Sequence, residues 1–460
     1  MSKAEMQGVL GITADSRAVL PGYLFAALPG VKADGRRFIA EAVQKGAIAV
    51  LAPEGTAWPP GVPPRRLITA PDARVKLAEL AVEFFGRLPE RLVAVTGTNG
   101  KTSTVDFLRQ IFTLAGRKAA SVGTLGVIAP GHEPSGSLTT PDPVTLAQTL
   151  AGLAREGVSD VAMEASSHGL DQHRLDGLRF AAAGFTNLTR DHLDYHGSME
   201  AYGAAKLRLF EALLKRGGTA RAMEDLAPEI LARLKELAAA RGLDFETVAV
   251  ERVEPRPDGQ LVQVNGQVVE LHLPGRFQAD NAALAASLAE AVGISGALSL
   301  LPQLRGVRGR LERALVLPNG AAAYVDYAHT PDAIARVLSA LRPHATGRLH
   351  IVFGAGGDRD SGKRPLMGEA AAKGADVVIV TDDNPRSEDP AMIRQTILAA
   401  CPNATEIGDR RAAIAAALEG LRAGDVLVVA GKGHEQGQIV KGEVIPFDDA
   451  SVIRELGGAA

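Results

Sequence analysis

Cysteine is almost missing from this 460-residue chain, where Cys401 stands alone. That excludes an internal disulfide and any multi-cysteine metal site, and leaves a small buried side chain as its ordinary role. Aromatic residues are only 4% and tryptophan occurs once, so the cores are expected to be built from Ala, Val and Leu. No run approaches the roughly 18 consecutive apolar residues of a membrane span, and Met1 to Arg17 lacks the charged start, apolar middle and small-residue cleavage site of a secretory signal. A cytoplasmic protein without membrane insertion is expected. Neither sign of charge dominates: 50 basic against 53 acidic residues leave a net charge of −3. That is no footprint for a nucleic-acid backbone, so no nucleic-acid partner is expected and anionic ligands must be held by local sites.

What the chain does have is glycine, 50 residues of it, and 46% hydrophobic residues over a length that suggests about three domains. Both suit an α/β protein with many tight turns. Residues 1–88 read as a small α/β unit, with a helix near 36–45, a strand at 47–51, a proline-rich loop from Pro53 to Pro64 and a helix 72–85 ending at Gly86. Residues 89–312 alternate strand and helix, with strands at 91–96, 159–163 and 181–186 and a helix at 103–115, which predicts a parallel sheet covered by helices. Residues 313–460 repeat the alternation with strands at 322–326, 349–353, 376–381 and 426–430, a Rossmann-like doubly wound pattern with functional loops at the carboxyl ends of the strands.

The most informative segment joins the strand 91–96 to the helix after it: Thr96-Gly97-Thr98-Asn99-Gly100-Lys101-Thr102-Ser103-Thr104. Glycines let backbone N–H groups approach a polyphosphate, Lys101 supplies a point charge and Thr102 a hydroxyl for Mg²⁺. Only two residues separate Gly97 from Gly100, where the usual phosphate loop has four. A nucleoside triphosphate is the expected ligand.

Other polar bursts follow apolar strands. Glu164 ends the strand 159–163 and is placed either to bind Mg²⁺ or to cap a helix. Thr186 to His196 carries carboxylates and imidazoles that suit either a hard cation or a solvated loop. Lys206, in a helix expected over Ala201–Leu214, shares an apolar face with Tyr202, Leu209 and Phe210. It either snorkels to solvent or is buried as a neutral amine able to form a carbamate with CO₂. Gly354-Ala355-Gly356-Gly357-Asp358-Arg359 fails as a dinucleotide fingerprint because Arg359 replaces the third glycine. Arg359, Arg386, Asn384 and Glu435 instead offer two guanidinium groups, an amide and a carboxylate, a set suited to a zwitterion.

Taken in order, DSR (Asp15–Arg17), TGTNGKTST (Thr96–Thr104), TTPD (Thr139–Asp142), MEASSHGLDQHR (Met163–Arg174), TNLTRDHLDYH (Thr186–His196), YVDYAHTPDA (Tyr324–Ala333), FGAGGDRD (Phe353–Asp360), DNPR (Asp383–Arg386) and GKGHE (Gly431–Glu435) span the chain and resemble the Mur ligase family. The resemblance implies a three-domain α/β enzyme: a UDP-sugar-binding N-terminal domain, a central ATP-binding domain and a C-terminal amino-acid-binding domain. Ser16, Thr139, Thr140, Ser166, Gln172 and Arg174 would hold UDP-N-acetylmuramoyl-L-Ala-D-Glu. Gly97, Thr98, Asn99, Gly100, Lys101, Thr102, Ser103, Asn281, Arg310 and His329 would contact ATP. Thr102, Glu164, His192 and a carbamylated Lys206 would organise Mg²⁺, and Lys101, Lys206, His192 and Glu164 would carry catalysis. Arg359, Asp383, Asn384, Pro385, Arg386, Gly431 and Glu435 would bind the incoming amino acid.

The implied reaction is ATP-dependent amide synthesis through an acyl phosphate, by a monomer acting on small molecules in peptidoglycan precursor synthesis. DNPR points to meso-diaminopimelate, because its distal carboxylate gives Arg386 an anion to pair with; L-lysine or L-ornithine as acceptor, and a nucleotide-binding regulator without turnover, are the alternatives. Leu138, where several members carry Asn, and Ala165, where larger residues are frequent, depart from the family pattern.

Overall fold

The computed structural model describes residues 5–30, 33–132, 138–256 and 259–458. It divides into two compact units, residues 1–249 with 284–297, and residues 250–283 with 298–460. No helix among the described residues is long and apolar enough to cross a membrane.

The first unit holds two sheets. The smaller is fully parallel, its strands Gly11–Thr13, Tyr23–Ala26, Ala49–Pro53 and Arg66–Ala70 lying in chain order. The larger has seven strands, with Arg91–Thr96 at its centre between Phe180–Phe185 and Asp160–Glu164. Within the central strand, Leu92 to Val95 form an unbroken apolar run because both faces are covered. The helix Lys101–Leu114 buries Phe107, Leu108, Ile111 and Phe112, the face expected from its spacing.

Register is what assembles the site. Val95 pairs with Glu164 and Thr96 with Phe185, so the three strands end level and their loops emerge side by side.

Four strands in the second unit match the expected pattern: Ala322–Asp326, Leu349–Phe353, Val377–Val380 and Val426–Ala430. They belong to a six-stranded sheet, parallel except where Glu312–Val316 pairs antiparallel with Ala322–Asp326. A three-stranded antiparallel sheet over 252–271 and a hairpin, Gly437–Val440 with Glu443–Pro446, complete the unit. The ion pair Arg410–Asp449 is fully buried, and Arg410 also donates to the carbonyls of Ala430 and Asp382. It thereby ties together the loop-bearing ends of Val377–Val380 and Val426–Ala430, the two strands that flank Leu349–Phe353.

One helix differs from expectation. Lys206 lies in Met199–Arg208, after which the backbone widens into a π turn over Leu209–Leu213 and Leu214 opens a strand running to Met223. The helix therefore stops short of Leu214 as a regular element. The strand escaped notice because Lys215-Arg216-Gly217-Gly218 and a register shift between Leu214 and Thr219 break its apolar pattern.

Candidate functional site

In the first unit the glycine loop is clasped by the polar segment that follows Phe185. The Thr98 N–H donates to the Asn187 carbonyl (2.8 Å) and the Asn99 N–H to Asn187 Oδ1 (2.9 Å), while Thr186 Oγ1 donates to the Asn99 carbonyl (2.6 Å). Gly97 has φ +145° and Gly100 φ +83°. A Cβ on Gly97 would stand 1.9 Å from Thr186 Oγ1, so only glycine lets the two segments close on each other. Gly100 opens the helix at Lys101, leaving the N–H groups of Thr102 and Ser103 in its first turn, where an anion is favoured. Lys101 Nζ donates to the carbonyls of Gly97 (2.9 Å) and Thr98 (2.8 Å).

Lys206 reaches this loop from beneath. It is only 1% exposed, and its Nζ donates to the Gly97 carbonyl at 2.7 Å and lies 4.4 Å from the Tyr202 ring centroid. The Tyr202 hydroxyl donates in turn to Thr98 Oγ1 (3.2 Å). Burial, reinforced by repulsion from Lys101, lowers the Lys206 pKa from 10.5 to about 6, so the amine is neutral at pH 7. The snorkelling alternative is excluded by this burial.

Glu164, 2% exposed, accepts from the Thr124 N–H (2.8 Å) and from Thr124 Oγ1 (3.2 Å). Thr124 also meets Thr139, hydroxyl to hydroxyl, at 3.1 Å. Thr140 Oγ1 donates to the Glu164 carbonyl and accepts from the Ser166 N–H, while Arg174 donates to the Thr140 carbonyl and to Gln172 Oε1. Thr139, Thr140, Ser166, Gln172 and Arg174 are thus one hydrogen-bonded network ending at Glu164. Thr124 was missed in the sequence. Its one local signal is the preceding Gly123, where a Cβ would come within 2.2 Å of Glu164 Oε1.

His192 has φ +51° and packs edge-to-face on His168 at 4.8 Å. Burial, with the neighbouring imidazoles His192 and His196, lowers the His168 pKa. Ser16, 9% exposed, sits in a short helical turn capped by Asp15 and donates to Glu41 Oε2 (3.3 Å). It belongs to the part of the unit built on the small sheet.

In the second unit the loops after Phe353, Val380 and Ala430 meet. Glycines at 356 and 357 allow this, since a Cβ on Gly357 would stand 2.0 Å from the Pro385 carbonyl oxygen. Arg386 Nη1 donates to the Gly357 carbonyl (2.8 Å), and Asn384 Nδ2 donates to Glu435 Oε2 (2.8 Å). Asp383 is 6% exposed, with burial raising its pKa. A Cβ on Gly431, which has φ +115°, would lie 3.0 Å from Asp383 Oδ2. Arg359 is exposed on the 354–360 loop. The Arg310 guanidinium stacks 4.9 Å from the Tyr327 ring, His329 Nδ1–H donates to the Tyr327 carbonyl (2.8 Å), and Asn281 is 6% exposed in the helix Arg276–Ala291.

Three family models match successive parts of the chain. The model of the Mur ligase family catalytic domain matches residues 9–82, that of the Mur ligase middle domain residues 95–289, and that of the Mur ligase glutamate ligase domain residues 309–433. A UDP-N-acetylmuramoyl-L-alanyl-D-glutamate–2,6-diaminopimelate ligase of Caulobacter vibrioides is 54% identical over 98% of this chain and 96% of its own. A solved structure of a ligase of the same name, 35% identical, superposes with a TM-score of 0.75 over 98% of this chain and 95% of that one. The MurF ligase from Thermotoga maritima, solved in complex with ADP, shares the fold at 17% identity, with a TM-score of 0.61 over 99% of this chain and 98% of its own. With three successive domain models matched and more than half of its residues shared with a full-length relative, this chain belongs to the Mur ligase family.

Proposed function

We propose that this protein is an ATP-dependent ligase that joins meso-2,6-diaminopimelate to the D-Glu carboxylate of UDP-N-acetylmuramoyl-L-Ala-D-Glu, in the cytoplasmic synthesis of peptidoglycan precursors. The observation that carries the reading is the buried Lys206 amine held against a phosphate loop, in a chain 54% identical to a curated ligase of that name. The reading places domain limits at 1–88, 89–312 and 313–460. It gives Ser16 and the Thr139–Arg174 network to the UDP-muramoyl dipeptide, residues 97–103 with Asn281, Arg310 and His329 to ATP, and the DNPR and GKGHE loops with Arg359 to the amino acid.

The chemistry begins with two anions that repel each other, the glutamyl carboxylate and the γ-phosphate. Attack of the carboxylate oxygen on the γ-phosphorus gives an acyl phosphate and ADP. The acceptor amine then adds to the acyl carbon and the tetrahedral intermediate expels phosphate. Lys101 and the N–H groups at the start of its helix draw negative charge off the phosphates as it redistributes. Arg174, held between Thr140 and Gln172, fixes the donor peptide for in-line attack.

Mg²⁺ fits the donor set. Glu164 is a buried carboxylate with one hydrogen bond to each oxygen, which leaves lone pairs on both. Among the described residues no group of three or more His, Cys, Asp and Glu forms an all-protein cage. That suits a cation which keeps water and phosphate ligands and takes only one or two carboxylates. Thr102, Glu164, His192 and a carbamylated Lys206 would hold it, and it supplies neutralisation of polyphosphate charge. The Lys206 amine forms its carbamate by attacking the carbon of CO₂ and releasing a proton.

Phosphate release from ATP tests the reading. It is expected only when both UDP-N-acetylmuramoyl-L-Ala-D-Glu and an amine acceptor are present, with one ADP and one phosphate per amide formed. ATP binding with no phosphate release under those conditions would support a nucleotide-binding regulator instead.

A further inference from the structure

Lys432 is fully buried, with 0% of its surface exposed, in the middle of a glycine-rich loop. Glycines on either side turn it inward. Gly431 has φ +115° and Gly433 φ +53°, and a Cβ on Gly433 would stand 2.7 Å from Tyr327 Cβ. Its ammonium has three hydrogens and meets acceptors from three segments: the Gly437 carbonyl at 2.5 Å, Asn384 Oδ1 at 3.2 Å and Glu435 Oε2 at 3.5 Å, with Asp383 Oδ1 farther off at 3.9 Å.

Asn384 is the pivot. Its Oδ1 also accepts from the backbone N–H of Ile439 (2.9 Å), a group that can only donate, so Nδ2 must face the other way, onto Glu435 Oε2. The hairpin strand that supplies Ile439 further braces the loop, since Gln438 donates to the Asp383 carbonyl, the Arg386 N–H to the Ile439 carbonyl and the Lys441 N–H to the Arg386 carbonyl. An ammonium taken out of water is costly to the fold, and here the acceptors around it offset that cost. What the ammonium adds is a fixed geometry.

We propose that Lys432 is a positioning residue for the acceptor amino acid, setting the Asn384 amide and the Glu435 carboxylate without touching the ligand itself. The inference rests on the reading of the DNPR and GKGHE loops as the acceptor site. It assigns a role to the second residue of GKGHE and to the hairpin Gly437–Pro446, neither of which carries chemistry in the sequence pattern.

Three-substrate steady-state kinetics on Lys432→Met, Asn384→Ala and the double variant test it. Lys432→Met is expected to raise the KM for meso-diaminopimelate by about tenfold or more, with the KM values for ATP and the UDP-muramoyl dipeptide within about twofold of wild type. If the lysine acts through Asn384, the double variant should be no worse than Asn384→Ala alone. An unchanged acceptor KM in Lys432→Met, a parallel rise in all three KM values or full additivity would overturn the proposal. If Asn384→Ala raises the acceptor KM while Lys432→Met does not, this inference alone fails; if Asn384→Ala itself leaves the acceptor KM unchanged, the acceptor-site reading fails with it. Should Lys432→Met not fold, Lys432→Gln takes its place. Should neither fold, a crystal structure of the wild type with meso-diaminopimelate decides. An acceptor held by Asn384 and Glu435, with the Lys432 ammonium on Asn384 and out of reach of the ligand, supports the proposal, and an ammonium that touches the ligand, or an acceptor bound away from both side chains, contradicts it.

Discussion

Lys206→Met is expected to lower kcat by about 10³-fold or more while leaving the affinity for ATP within a few-fold, as measured by phosphate release and by nucleotide titration. The side chains are similar in length and Met is at ease in a buried site, so the variant removes the amine and little else. With it go the hydrogen bond to the Gly97 carbonyl and the group that would carry the carbamate. A variant retaining more than a tenth of wild-type kcat would remove Lys206 from the catalytic set.

The same residue leaves a signature in stability. In buffer free of carbon dioxide the amine is unmodified, with a pKa near 6 in the fold against the ordinary 10.5. Between those values the unfolded chain binds more protons than the folded one, so stability rises with pH. The burial penalty is fully present below about pH 6 and vanishes above about pH 10.5, with a slope of up to about 1.4 kcal/mol per pH unit. Denaturant melts of wild type and Lys206→Met between pH 6.5 and 9 should therefore differ by an amount that shifts steadily in favour of wild type as pH rises. A difference independent of pH would contradict the neutral, buried amine.

Arg386→Ala is expected to raise the KM for meso-diaminopimelate by about 100-fold while changing that for lysine little, the scale of one or two charge-assisted hydrogen bonds to the distal carboxylate. Arg386 adopts φ +53°, a conformation unfavourable for a side-chain-bearing residue, and holds it through backbone bonds to Ile439 and Lys441. Its guanidinium is steadied on the Gly357 carbonyl while further N–H groups stay available for a carboxylate. Lysine lacks that carboxylate, so the wild type would have to leave the arginine unpaired to accept it. Selectivity between the two amines that survives Arg386→Ala unchanged would show that it is set elsewhere.

The sequence was most readable where the backbone is buried on both faces. The strands Arg91–Thr96, Leu349–Phe353 and Val426–Ala430 are predominantly apolar runs, with His350 the one polar residue inside them, and end in polar loops; each was expected within a residue of where it lies. The edge strands Glu312–Val316 and Thr405–Glu406 were not, because partly solvated, short segments carry no such run. The burial of Lys206 could not be decided from helical spacing, since a snorkelling lysine shows the same neighbours; the distinction is made by the loop at Gly97, 109 residues away in sequence. Thr124 and Lys432 stayed hidden for a related reason. Each sits beside glycines and gains its meaning from contacts with Glu164 or Asn384 that only the sheet registers create.

The most direct test of the account is a competition. The protein, ATP, Mg²⁺ and UDP-N-acetylmuramoyl-L-Ala-D-Glu are supplied with equal amounts of meso-diaminopimelate, L-lysine and L-ornithine, and the masses of the nucleotide products are read. The account predicts a tripeptide product carrying diaminopimelate almost alone. A product carrying lysine or ornithine would keep the ligase chemistry and contradict the role of Arg386, and no amide product with any of the three would contradict the ligase itself.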